Sequence, residues 1–248
     1  LDTLAGLGKF GLFSMRVLWR VCVPPWDIGE ASRHTWLIVI RCILPVLATV
    51  GPLGMVMALQ GLQIFQLFGA QRMLSSLISV AVFRELSPVM ASALVAAQGG
   101  SAFAAELGAM RIKEELDATE VMGVDPLRVH VVPRVIATVV ATPMLNLMGS
   151  IGGIVGGYVV AVLLKGNPGG IYWANLWDLT GPLDLISGVT KATVFGGLIG
   201  LCATYQGYHA TGGAAGVGRA VNDTVVIAIT SFIIVNYFLT SALFGAVG

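Results

Sequence analysis

Four stretches of this sequence, residues 42–71, 135–164, 192–218 and 224–248, contain no Lys, Arg, Asp or Glu. Each exceeds the roughly 20 residues an α-helix needs to cross a hydrocarbon core about 30 Å thick. A fifth stretch, 73–105, is interrupted only by the adjacent pair Arg84-Glu85. A soluble helix of such length would need a polar face toward water, and none of the five has one. Composition agrees: 56% of the 248 residues are hydrophobic and 11% are charged, whereas roughly a quarter of a soluble domain is charged. The expectation is an all-α membrane protein, one domain over 1–248, with five transmembrane helices at about 43–66, 77–104, 128–164, 187–208 and 222–246. Pro143 is expected to kink or break the third.

Basic residues set the orientation. Lys9, Arg16, Arg20, Arg33 and Arg41 precede the first span, Arg111, Lys113, Arg128 and Arg134 lie between the second and third, and Arg219 lies between the fourth and fifth. The opposite loops carry only Arg72 and Lys165. By the positive-inside rule the N-terminus is cytoplasmic and the C-terminus outside, in an inner (plasma) membrane. Residues 3–22 read as a separate amphipathic helix. Lys9, Arg16 and Arg20 fall on one narrow strip, with Leu4, Leu7, Met15, Leu18 and Cys22 opposite. Such a helix suits the cytoplasmic headgroup layer, the alternative being an ordinary helix packed on the rest of the chain. Pro24-Pro25 ends it. No short apolar run with a small-residue cleavage site stands at the start, so a removed leader is not expected.

The glycines are spaced for helix contact. Gly149, Gly153 and Gly157, overlapped by Gly152 and Gly156, repeat every fourth residue in the third span, as do Gly196 and Gly200 in the fourth. Small residues let helix backbones approach closely in lipid.

Few residues offer chemistry. Cys22, Cys42 and Cys202 have no metal or disulfide spacing. The net charge of +1 gives no basis for binding nucleic acid. Residues 213–220, GAAGVGRA, share only the glycines of a phosphate loop and lack its Lys and its hydroxyl, so ATP is not expected to bind this chain. His34 and His130 lie among charges and His209 at a helix end, so no catalytic set stands at membrane depth.

Between the second and third spans, residues 106–134 are dense in charge. Residues 107–122 lack Pro and favour helix, Gly123 supplies a stop, and Asp125-Pro126 turns the chain into the next span. Ile112 and Leu116 lie on one side, and Met110, Ala118 and Met122 on another. Two small apolar patches fit a helix held between its own membrane domain and a cytoplasmic partner. They equally fit a solvated loop helix.

The segment FRELSPVMASALVAAQGGSAFAAELGAMRIKEELDATEVMGVDPLRVHVVPRV, with Leu59-Gln60-Gly61, GGAAGVGRAVNDTVV and NYFLTSALFG elsewhere, resembles the MlaE/YrbE permeases of the Mla, Mce and related lipid ABC transporters. The matching residues include Arg84, Glu85, Pro88, Gly100, Glu106, Gly108, Glu115, Asp117, Gly123, Asp125 and Pro126. Many relatives carry Arg where this chain has Gln98. The resemblance implies that residues 108–122 are a coupling helix docking on a cytoplasmic ATPase through Glu114, Glu115, Leu116 and Asp117. It implies no cofactor on this chain, with ATP and Mg²⁺ on two partner ATPase subunits. A second permease copy or a paralogue and an outer MCE-domain protein complete the implied assembly, with lipid as cargo.

Arg84 and Glu85 stand where an unpaired charge costs roughly 2.5–3.5 kcal/mol. Adjacent helical residues point about 100° apart and cannot fully neutralise each other. Lys191 is a candidate neighbour for Glu85. The two charges form either a packing network or the polar floor of a lipid cavity, and the resemblance favours the cavity. Met57, Gln60, Ile64, Tyr237 and Leu239 are weaker candidates for its lining. A stand-alone secondary transporter or channel for an amphiphile would favour internal repeats or discontinuous helices around several ionisable groups, and neither is evident.

Overall fold

The computed structural model describes residues 2–24 and 26–245, apart from the side chains at 2–5, 7 and 71. Pro25, the side chains of Leu4 and Leu7, the end of the fifth span at 246, and both termini (Leu1 and Gly248) therefore lie outside the described residues. Every regular element described is helical. Helix α1 is Asp2–Cys22, and five long apolar helices follow: α2 (Ile28–Leu67), α3 (Leu74–Ile112), α5 (Leu127–Leu164), α7 (Pro182–Tyr208) and α8 (Gly213–Phe244). Two short helices lie in opposite loops, α4 (Glu115–Val121) and α6 (Gly169–Asn175).

The helices overrun the spans expected from charge. Helix α2 is 40 residues long, about 60 Å, or twice the hydrocarbon thickness. It starts at Ile28 because the Asp27 carboxylate accepts the Glu30 backbone N–H at 3.1 Å, and nothing between there and residue 43 breaks a helix. Pro45 and Pro52 lie inside it. Pro143 likewise sits within α5 without ending it. The second span is not uniform α-helix: it widens into π turns at Val82–Leu86 and Ala96–Gly100.

Helix α5 packs along α2 on one side and against α7 and α3 on the other, while α8 lies on α7 and α3. Helices α3, α5 and α7 thus form the centre, and α2 and α8 are the flanks. The core runs through the centre from Cys42, Val46 and Val50 to Phe195, Ile199 and Phe232. Helix α8 is the least enclosed, with Val226, Ile233, Ile234, Tyr237 and Phe238 all more than half exposed.

The α2–α5 seam is backbone on backbone. A Cβ on Gly54 would sit well inside van der Waals contact of the Gly153 carbonyl oxygen, and one on Gly156 would do the same to the Gly51 carbonyl. Gly152 and Gly156 of the third-span glycine series face α2, Gly149 and Gly153 lie between α2 and α3, and Gly157 meets Tyr172 and Ile78. Gly196 of α7 abuts the Thr138 carbonyl of α5.

Helix α1 presents Phe13 and Val17 to the bundle, where Phe13 meets Tyr205 and Tyr208 edge-on or tilted. Arg20 pairs with Asp125. Leu12, Met15, Leu18 and Trp19 remain exposed on a second face, and Lys9 and Arg16 on a third.

Candidate functional site

The sequence Arg84-Glu85-Leu86-Ser87-Pro88 builds a polar knot inside the bundle. Pro88 has no N–H, so the Arg84 carbonyl lacks its usual donor four residues on. The local π turn and this free carbonyl leave an acceptor facing α7. Lys191 of α7, whose side chain is fully buried, fills it: Nζ donates to the Arg84 carbonyl at 3.0 Å, to Glu85 Oε1 at 2.7 Å and to Thr240 Oγ1 at 2.7 Å. Three N–H donors meet three acceptors, so the ammonium is satisfied without water. Glu85 Oε2 accepts from Asn236 Nδ2 at 2.9 Å. Thr240 Oγ1 lies 2.9 Å from both Glu85 Oε1 and the Asn236 carbonyl. The Glu85 side chain keeps 40% of its surface exposed, so one end of the knot is sealed and the other open.

Arg84 turns the other way. Its Nε donates to Asp184 Oδ1 at 2.6 Å, and its guanidinium lies 4.1 Å above the Phe244 ring. Asp184 is held by the first turn of α7, where its Oδ2 accepts the Gly181 N–H at 2.8 Å. Asp184 and Lys191, seven residues apart on one face, therefore receive Arg84 and Glu85 separately. Beside them opens a groove of about 600 Å³ lined by Arg84, Asp184, Leu183, Ile186, Leu243 and Phe244.

The remaining lining candidates are scattered. Met57 is half-buried on α2, and Gln60 and Ile64 are exposed there, on the flank opposite α8. Tyr237 is 71% exposed next to Asn236. Leu239 faces inward and packs against the central core, so it does not line the groove. Asp184, Asn236, Thr240 and Phe244 were missed from sequence. Gly181-Pro182 followed by an acidic residue in the first helical turn was the available signal for Asp184.

At the opposite end of the bundle the expected single helix over 108–122 is broken. Helix α3 ends at Ile112, Glu114 adopts a left-handed conformation (φ 61°), and α4 begins at Glu115. The break lets Leu116 turn inward and become fully buried, so it is core and not an outward contact. Glu114, Glu115 and Asp117 remain exposed, with Asp117 paired to Arg111. Val121 (87% exposed) and Met122 (72%) project from the end of α4.

The family model described as "Permease MlaE" matches residues 31–242, which includes the knot and α4. The chain belongs to the MlaE permease family. It is similar to a probable ABC transporter permease protein of Rickettsia prowazekii, 35% identical over 238 residues, 96% of this chain and 92% of the relative. A probable ABC transporter permease protein of Synechocystis is 35% identical over 225 residues, covering 89% and 86%. The intermembrane phospholipid transport system permease protein MlaE of Haemophilus influenzae is 34% identical over 195 residues, covering 78% and 75%. As an MlaE-family chain it is a multi-pass membrane permease subunit of an ABC transporter, a subunit type that is not itself catalytic.

Proposed function

We propose that this chain moves phospholipids or related lipids across or out of the inner membrane, driven by ATP hydrolysis in a separate subunit. The observation that carries the reading is the half-open knot. A fully buried lysine holds Glu85 from behind while the front of the carboxylate stays accessible, in a membrane where lipid contact with a charge is costly. An aqueous or headgroup-lined cavity resolves that cost, and the Haemophilus relative's phospholipid transport name supports lipid as cargo. Arg84 beside the apolar groove adds a cation where a headgroup could lie.

In this reading the chain pairs with a second copy or a paralogue through the exposed face of α8, enclosing the cavity between them. The end bearing α4 faces the cytoplasm and the ATPase, which carries the ATP and Mg²⁺. An MCE-domain protein receives or delivers lipid on the outer side, and α1 lies in the inner headgroup layer with Leu12, Met15 and Trp19 toward lipid. Glu114, Glu115 and Asp117, with Val121 and Met122 beside them, make an acidic-rimmed apolar tip suited to a groove on the ATPase. The stand-alone transporter reading has no such use for this tip.

Glu115→Lys combined with Asp117→Lys reverses the rim and costs the spans only the exposed Arg111–Asp117 pair, worth about 0–1 kcal/mol. The ATPase should be lost from the affinity-purified complex while the melting temperature of the permease is unchanged. Retention of the ATPase at wild-type stoichiometry with normal lipid transport would remove the coupling assignment.

A further inference from the structure

At the end of the bundle opposite α4, a second small cavity of about 160 Å³ opens between the start of α3 and the loop containing α6. Arg72, Ser75, Asn167, Pro168 and Tyr172 are among its lining. Its volume equals about five water molecules, enough for one tetrahedral oxyanion.

The donor set is unbalanced. Ser75 is 2% exposed, and its Oγ has no hydrogen-bond partner. Buried hydroxyls in native proteins are nearly always partnered, so an orphan lining a cavity points to something that enters it. The Arg72 carbonyl is used, accepting Asn175 Nδ2 at 2.9 Å, and this fixes the backbone from which its side chain leaves. Among the described residues, the Arg72 guanidinium makes no ion pair or side-chain hydrogen bond. No acidic residue lines the cavity. The Tyr172 hydroxyl is spent on the Ile154 carbonyl at 3.0 Å. Arg72, Asn167 and the buried, unpartnered Ser75 hydroxyl, with no acidic residue among the lining, are a donor set suited to an anion.

The surroundings identify the carrier of that anion. Next to the lining residues in sequence, Met73 is 51% exposed, Leu163 68%, Leu164 69% and Trp173 46%. Leu67 and Phe68, at the end of α2, are 83% and 78% exposed. A cationic pocket edged by outward-facing apolar side chains and an indole matches the headgroup level of a bilayer. We propose that this cavity binds the phosphate of a phospholipid whose acyl chains lie along Met73, Leu163, Leu164 and Trp173. The site is separate from the Arg84–Glu85 knot, and the inference does not depend on what the transporter carries.

The test uses the full chain, purified in detergent and delipidated, with phosphatidylglycerol bearing brominated acyl chains as the quencher of tryptophan fluorescence. Exposed Trp19, Trp26, Trp36 and Trp177 give a background of unsaturable quenching; a saturable component above it, lost in Trp173→Phe, is expected. Arg72→Ala should raise the half-saturation concentration roughly tenfold, as loss of a charge-assisted hydrogen bond does, with Arg72→Lys between the two. Ser75→Ala should raise it by a smaller factor. Arg72 is exposed, so an unchanged melting temperature should accompany its loss. Equal quenching by brominated diacylglycerol, or no effect of Arg72→Ala, would overturn the proposal. Displacement of the lipid by equimolar inorganic phosphate would make the pocket a free-anion site. Unaltered lipid binding with loss of other subunits from the Arg72→Ala complex would instead assign the pocket to a protein carboxylate.

Discussion

Among the described residues no side-chain hydrogen bond joins α2 to α5, whereas α3, α7 and α8 meet around Glu85 almost entirely through polar atoms. Both junctions face the same problem, because lipid supplies no hydrophobic drive between helices. The α2–α5 seam answers it with close backbone approach and dispersion, and it works only while Gly54 and Gly156 stay bare. The knot answers it with three directed donors on one buried ammonium, and it works only while every charge has its partner. The first device is static and tolerates no added volume at those two positions. The second tolerates volume but not a change of charge, and it leaves a carboxylate half open to whatever lies outside.

The largest effect should come from the seam. Gly54→Leu drives a side chain into the Gly153 carbonyl, which backbone cannot yield, and no folded monodisperse protein is expected on size-exclusion chromatography. Gly51→Ala, one turn away, is the control that sharpens the comparison. Its Cβ would lie 3.7 Å from the nearest neighbouring atom, the Gly152 carbonyl oxygen, so a change in stability under about 1 kcal/mol is expected. Equal damage from both would mean that the seam is not set by contact at Gly54.

The next effect is in the knot. Glu85→Gln leaves a fully buried Lys191 without a counter-charge, and about 3–5 kcal/mol of destabilisation is expected in thermal unfolding of the purified protein. Lys191→Met should cost less, because Glu85 keeps Asn236 and Thr240 as donors and is partly exposed. Combining the two should recover most of the loss, a coupling of roughly 1–3 kcal/mol. Additive losses would show that Lys191 and Glu85 act independently and that the knot is not a unit.

How far these two regions could be read in advance differs for a physical reason. Charge-free stretches announce spans whatever the helices do next, and a lone charge such as Lys191 at membrane depth has few partners to choose from. Asn236 and Thr240 carry no comparable signal, since a neutral polar residue in a span is common and cheap. Half of the seam was visible as the repeated glycines of 149–157. The other half, Gly51 and Gly54, is three residues apart and lacks the fourfold spacing that draws notice. The break at Glu114 was invisible because glutamate rarely takes a left-handed conformation, and tertiary burial of Leu116 overrode the local preference for continuous helix.

That break gives the smallest predicted effect. Glu114→Gly removes the steric penalty of a positive φ at a residue outside both junctions, and the melting temperature should rise, by about 0.5–1 kcal/mol of stability. A fall would mean that the Glu114 side chain contributes more than its backbone conformation costs.

The two π turns in α3 have a further consequence. Each acts as one residue inserted into an otherwise regular helix, advancing everything beyond it by roughly 100° around the axis. Over Leu74–Ile112 the two together shift the phase by more than half a turn, so the face that α3 offers at Ser79 is not the face a single wheel would assign at Phe103. Deleting one residue within Val82–Leu86 would restore ordinary helix there and rotate the whole following segment, through Glu106 and Arg111 to α4, out of alignment with Glu85. The span is thus two helices with different bearings, clutched together at the position of the knot.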